Sequence, residues 1–422
     1  MNDRSNEDVG TMLSPYRVLD LTNELGFLCG KILGDLGADV IKIEPPGGDP
    51  SRKIGPFYHD EPDPEKSLYW FAYNNNKRGI TLNLETPKGR EMFKQLAQKA
   101  DIVVESFRPG YLDSLGVGYS SLSEINPRII VTSITPYGQK GPYSQWLASD
   151  LEIMASGGAM YLFGERDREP LRVSIPQSYM WGAMHGAAGS LVALYHQVLT
   201  GEGQHVDVAS REAVILGLAN APAIWDITRT NPQRDGIFLV GRSVTGAKMR
   251  VMWPTKDGYV NFIIYGGPAG RRTNQALAEW MASVGKPSRV WLEKDWSKFD
   301  IATITQEEVD ELEAPLEAFF KDITCEEFFK GVVERDMLGY PVATPRENLN
   351  DPQLAARGFW VKIEHPELGE SITYPAYFAK FSETTCGIRR RAPLIGEHNE
   401  EVYAELGLGR AELAALKEAN VI

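Results

Sequence analysis

Two short groups of residues have the chemistry to bind an anion. Lys77 and Arg78 follow Asn76, and Arg108 follows Phe107. Clustered cations suit phosphate oxygens, and an aromatic ring offers a face on which a base can stack. The same residues also suit a solvated turn and a core phenylalanine. Asp150 opens an apolar stretch, where an aspartate serves as a helix N-cap with no catalytic part. Glu165, Arg166, Asp167, Arg168 and Glu169 form a mixed charge run, the pattern of an exposed turn. His185 lies in a glycine-rich helical stretch, as a core histidine or as a base. The 6 histidines show no HxxxH or HxH spacing, so no metal site is indicated. Cys29, Cys325 and Cys386 are far apart and odd in number, giving no disulfide framework, which fits a reducing cytoplasm.

With 422 residues, 43% hydrophobic and 24% charged, the chain can bury a core, and its length predicts more than one domain. The net charge of −13 argues against a general nucleic-acid or membrane-surface binder. An anionic ligand would need cations gathered locally. Met1 to Thr11 lacks the basic start and apolar core of a signal peptide. Val173 to Gly201 carries no formal charge and is long enough to span a bilayer. It also holds Pro176, Gln177, His185, His196, Gln197 and several glycines, and reads as a buried helix instead.

These residues must be positioned by alternating strands and helices. Strand patterns cover Arg17–Leu21, Ala38–Ile43, Gly79–Leu84, Asp101–Glu105, Arg128–Ile134 and Gln204–Val208. Helical spacing covers Leu25–Gly37 and Thr86–Lys99. This rhythm predicts right-handed βαβ crossovers, a parallel sheet, and ligands at the strand ends after Leu21, Ile43, Glu105 and Ile134. The first strand-to-helix turn, Thr22 to Phe27, has no GxGxxG, so a dinucleotide site is unsupported. A helix over Met180–Leu199 puts Gly182, Gly186 and Gly189 on one ridge, which predicts close backbone packing. From about Trp225 the character changes. Aromatic strands, Lys248–Trp253 and Tyr259–Ile264, flank a Thr255-Lys-Asp-Gly turn. Acidic helices over Thr305–Phe320 and Cys325–Arg335 follow, predicting a second, smaller α+β domain.

Taken together the segments resemble class III CoA-transferases, the family of formyl-CoA transferase, carnitine CoA-transferase and α-methylacyl-CoA racemase. The resemblance rests on Leu33-Gly-Asp-Leu-Gly-Ala-Asp-Val-Ile-Lys-Ile-Glu44 with Pro45-Pro-Gly-Gly-Asp49, on Asn76-Lys-Arg-Gly79, and on Ala100-Asp-Ile-Val-Val-Glu-Ser-Phe-Arg-Pro-Gly110. It continues through Gly138-Gln-Lys-Gly-Pro-Tyr143, Gly201-Glu-Gly-Gln-His-Val-Asp-Val208, Asp351-Pro-Gln-Leu-Ala-Ala-Arg-Gly-Phe359 and Ala392-Pro-Leu-Ile-Gly-Glu-His-Asn399. It implies an α/β fold with a Rossmann-like large domain built from both chain ends (1–224 and 345–422), a small domain with linkers (225–344), and an intertwined dimer. It also implies coenzyme A as substrate with no permanently bound cofactor, cradled by Asn76, Lys77, Arg78, Phe107 and Arg108.

In such enzymes an aspartate attacks the acyl-CoA carbonyl, an aspartyl anhydride forms, and returning CoA thiolate gives an aspartyl-CoA thioester that the second acid discharges. Counting back from Gln204 by the family's spacing lands on Tyr179, and no Asp or Glu occurs between Glu169 and Glu202. The resemblance therefore implies that the nucleophile is missing. Two further departures accompany this. Gly241-Arg-Ser-Val-Thr-Gly246 keeps only the flanking glycines of the family's glycine-rich loop, and Ser114 stands where a CoA-binding arginine is common. The first expectation is a subunit that works with a homologous partner carrying the aspartate, as in heteromers of the succinyl-CoA:benzylsuccinate CoA-transferase type. The alternatives are a self-sufficient transferase or acyl-CoA racemase using a displaced acid such as Asp150, and a non-enzymatic acyl-CoA-binding or scaffolding protein.

Overall fold

The computed structural model describes residues 10–422 and divides into two compact units. The larger comprises residues up to Met160, Arg172–Thr230 and Pro352–Ile422. The smaller comprises Tyr161–Leu171 and Asn231–Asp351. The charge run Glu165–Glu169 thus belongs to the smaller unit, where Arg166 pairs with Asp235 at 2.7 Å. Sequence pattern alone assigns that excursion to the large domain.

The larger unit is built on six strands: β1 (Arg17–Leu21), β2 (Asp39–Glu44), β3 (Lys77–Thr81), β4 (Ile102–Glu105), β5 (Ile130–Thr135) and β6 (His205–Ala209). They run parallel in the order β3-β2-β1-β4-β5-β6. The order in which strands are added reverses between β1 and β4, and the loops leaving those strands flank the crevice where such sheets take ligands. β1 to β5 are buried along almost their whole length, as expected of a parallel sheet covered on both faces, whereas β6 alternates as an edge strand.

β3 begins at Lys77, two residues before the apolar alternation starts. Polar side chains there hide the strand in the sequence because each is itself buried against an acidic partner. The free side of β3 is closed by the C-terminal segment. Gly79 N–H donates to His398 Nδ1, Thr81 N–H to Asn399 Oδ1, and Tyr403 Oη to the Thr81 carbonyl. That contact gives the Gly396-Glu-His-Asn399 motif a structural purpose.

The long helix Ser178–Thr200 lies on the sheet through its small residues. A Cβ at Gly182 would stand 2.3 Å from Ser210 Oγ, at Gly186 2.6 Å from Ile134, and at Gly189 2.8 Å from Val206. The predicted close approach is therefore real, and it accounts for the charge-free stretch. Among the described residues no helix is long and apolar enough to cross a membrane. Gly201, in the left-handed conformation at φ +80, ends the helix.

The smaller unit has a three-stranded antiparallel sheet (Met252–Pro254, Tyr259–Asn261, Tyr340–Pro341) and the helices Gly267–Ser283, Gln306–Phe320 and Cys325–Glu334. Thr305 and Thr324 cap the two acidic helices. Its core is aromatic, with Trp253, Trp280, Trp291, Phe319, Phe320 and Phe328 buried.

Candidate active site

At the carboxyl ends of β1 and β4 the larger unit opens into a cleft of about 660 Å³. Asn23, Glu24 and Leu25 from the β1 loop line it, with Ser106, Phe107 and Arg108 from the β4 loop, Trp146 and Ser149, and Tyr179 from the long helix. A second hollow of about 420 Å³ adjoins it along β2 and β3, sharing Asn23, Glu24, Ser106 and Phe107. The two loops are tied together at the crevice. Ser106 Oγ accepts the Asn23 N–H at 2.8 Å and donates to Asn23 Oδ1 at 2.9 Å. The outer wall is aromatic, with Tyr143 and Trp146 at 4.3 Å between ring centroids. Arg108 donates to the Gln145 carbonyl at 3.0 Å and otherwise faces solvent.

The expected cradle is split. Phe107 and Arg108 border the cleft. Asn76, Lys77 and Arg78 lie at the opposite, amino-terminal edge of the sheet. Lys77 is wholly buried, and its ammonium donates to Asp20 Oδ2, Asn74 Oδ1 and the Phe27 carbonyl at 2.8, 2.8 and 2.9 Å. No donor is left for a phosphate. Arg78 is held by Asp39, Glu401 and Glu405 at 2.6, 2.8 and 3.1 Å. Asn76, at φ +62, accepts the Arg389 and Arg390 N–H groups and donates to Asp35 and the Gly387 carbonyl. Asparagine tolerates that backbone conformation. All three residues brace the fold away from the cleft; Lys77 and Arg78 are not a solvated turn, and Asn76 and Arg78 line a separate hollow of about 420 Å³ with Arg389 and Arg390.

Tyr179 sits in the first turn of the long helix, facing the cleft. Its Oη accepts the Asp150 N–H at 2.9 Å, and burial pushes the phenol above its usual range, which disfavours the phenolate. Asp150 is the first residue of the helix Asp150–Ser156; Ser149 is its N-cap and forms a capping box with Glu152. The Asp150 carboxylate instead caps the long helix. Its Oδ1 accepts the N–H groups of Gln177 and Ser178 at 2.8 and 2.9 Å and the Ser178 hydroxyl at 2.8 Å. Glu24, which accepts a hydrogen bond from Ser51 Oγ, and Glu152 are the carboxylates lining the cleft among the described residues. Sequence pattern missed Glu24, Ser106 and Trp146, although the strand ends after Leu21 and Glu105 pointed to two of the loops that carry them.

His185 lies on the long helix away from the cleft lining. No group of His, Cys, Asp and Glu that could hold a metal occurs among the described residues. Gly241 and Gly246 both take left-handed conformations in the smaller unit.

The geometry is that of a ligand crevice at the switch point of a Rossmann-like sheet, and the model of one family matches residues 13–399. The chain belongs to CoA-transferase family III. A relative from Thauera aromatica, succinyl-CoA:(R)-benzylsuccinate CoA-transferase subunit BbsE, is 35% identical over 98% of this chain and 99% of its own length. Succinyl-CoA–L-malate CoA-transferase beta subunit from Chloroflexus aurantiacus is 31% identical over 97% of this chain and 98% of its own. The crystal structure of a CAIB/BAIF family protein from Brucella suis superposes with a TM-score of 0.79 at 29% identity, covering 94% of this chain and 100% of that one. In CoA-transferase family III, coenzyme A enters as a thioester substrate and no cofactor is permanently bound.

Proposed function

We propose that this chain is the non-catalytic subunit of a heteromeric class III acyl-CoA:carboxylate CoA-transferase, paired with a homologous chain that supplies the nucleophilic aspartate. The observation that carries the proposal is Tyr179. By the family's spacing it stands at the place of the nucleophile, its hydroxyl is bound to a backbone N–H, and the residue that donates that N–H, Asp150, is spent on capping the helix that bears it. The Asp150 carboxylate is thus held in place by three donors to one oxygen, which lowers its nucleophilicity.

What remains here is binding. Phe107 stacks the adenine of CoA and Arg108 pairs with its phosphates, while the apolar wall of Trp146 and Leu25 shields the acyl group from water. The relatives support the heteromer, since two of them are subunits by name and one acts on benzylsuccinate. The surface supports it too. The long helix and the segment after it expose Val192, Tyr195, Leu199, Leu216, Trp225 and Ile227, with Ile227 82% exposed. Apolar surface of this kind marks a protein interface, and a partner of the same fold, threaded through this chain, would cover it. The assembly is assigned to the cytoplasm.

The test is reconstitution. The purified chain alone should transfer no CoA between carboxylic acids, and activity should appear when a homologue with aspartate at the Tyr179 position is co-expressed. Full turnover by this chain alone would refute the proposal and revive a displaced acid such as Asp150.

A further inference from the structure

Glu105 ends β4, is 5% exposed, and is absorbed by none of the chemistry above. Its Oε2 accepts the Phe107 N–H at 2.7 Å, so it bridges the root of the loop that carries Phe107 and Arg108 into the cleft. A small hollow of about 110 Å³ lies beneath that loop, lined by Glu105, Arg108, Asp113, Tyr119, Ser133 and His205 among others. Ser133, buried on β5, lines that hollow with Glu105 and lies 2.9 Å from His205 Nε2 on β6. His205 reaches the surface and stacks on Tyr119 at 5.6 Å. His205 and Ser133 thus share one polar hollow with the carboxylate that holds the Phe107 amide.

We infer that Glu105 is a positioning residue for CoA binding: in its ionised form it fixes the Ser106–Arg108 turn. The inference rests on the reading that Phe107 and Arg108 contact CoA.

A hydrogen bond from an amide to a carboxylate is roughly twice as strong as one to a neutral acceptor, so protonation loosens the turn. The charges around Glu105 come from every neighbouring element. Arg108 stands on its own loop, Asp113 on the short helix Tyr111–Ser114, and Asp207 on β6 beside His205, while Lys140 faces His205 from the loop after β5. Burial first, then Asp113 and Asp207, push the Glu105 carboxyl up to about 7; Ser133 and the Phe107 amide oppose them. The switch from loose to tight thus falls near neutrality.

Two measurements on the full chain test this. Calorimetry with CoA at pH 6.0, 7.0 and 8.5 should show binding about five-fold tighter at the highest pH. Glu105→Gln should flatten that dependence at the weak value. Titration of the ligand's own phosphate is common to both proteins and cancels. Ser133→Ala keeps the carboxylate but removes a polar hydroxyl from its hollow, so the midpoint should move upward; this variant decides the matter if Glu105→Gln does not fold. Hydrogen exchange of the Phe107 amide, measured without ligand, should show a protection factor that rises with pH in the wild type and stays constant in Glu105→Gln. An unchanged pH slope in both variants, or Phe107 protection indifferent to pH, overturns the inference. Absence of CoA binding by the wild type at every pH, with the exchange result as expected, removes the CoA-contact reading and leaves the Glu105–Phe107 coupling standing.

Discussion

Tyr179, Asp150 and Lys77 show how residue type alone misleads about role. A tyrosine, an aspartate and a lysine close to motif positions all have chemistry to offer, and each has its polar atoms engaged by the fold. Asp150→Ala should remove three hydrogen bonds at the start of the long helix and cost about 1–2 kcal/mol of stability, read from urea unfolding. Turnover of the assembled enzyme should persist in that variant. Lys77→Met leaves Asp20 buried with a charge partner removed and should cost about 3–5 kcal/mol, with CoA affinity of the folded protein unchanged. A Lys77 variant that folds normally but loses CoA would restore the cation to the cradle.

At the scale of elements, the glycines are the most directly testable feature. Gly203 lies in the turn before β6, and a Cβ there would stand 2.0 Å from the Ile129 carbonyl oxygen. Backbone cannot yield as a side chain does, so Gly203→Ala should cost more than about 3 kcal/mol or prevent folding, measured as lost soluble protein or a lowered Tm. The strands and the long helix were legible because burial on both faces writes itself as apolar runs, and close packing writes itself as Gly182, Gly186 and Gly189. β3 was legible only from Gly79, since Lys77 and Arg78 look like a turn until Asp20 and Asp39 are placed beside them. The cleft was half legible. Strand ends named the loops, but Glu24 and Trp146 become neighbours only through the sheet order, which no local pattern reveals. The role of Asp150 as a cap for a helix that starts at Ser178 was equally hidden, because the two segments are joined by an excursion through the smaller unit.

For the whole molecule, the account requires a second chain. The exposed apolar residues of the long helix form a face that burial against the sheet cannot explain, since Val192, Tyr195 and Leu199 point away from Gly186 and Ala187. The double substitution Tyr195→Asp, Leu199→Asp should leave the fold intact by circular dichroism yet abolish co-purification with the homologous partner. The central claim is that the acyl group never becomes attached to this polypeptide. Hydroxylamine trapping of the reconstituted enzyme during turnover with succinyl-CoA, followed by peptide mass mapping of both chains, tests it most directly. The account predicts a hydroxamate on an aspartate of the partner and none on this chain; a hydroxamate on Asp150, Glu24 or any other carboxylate of this chain would contradict it.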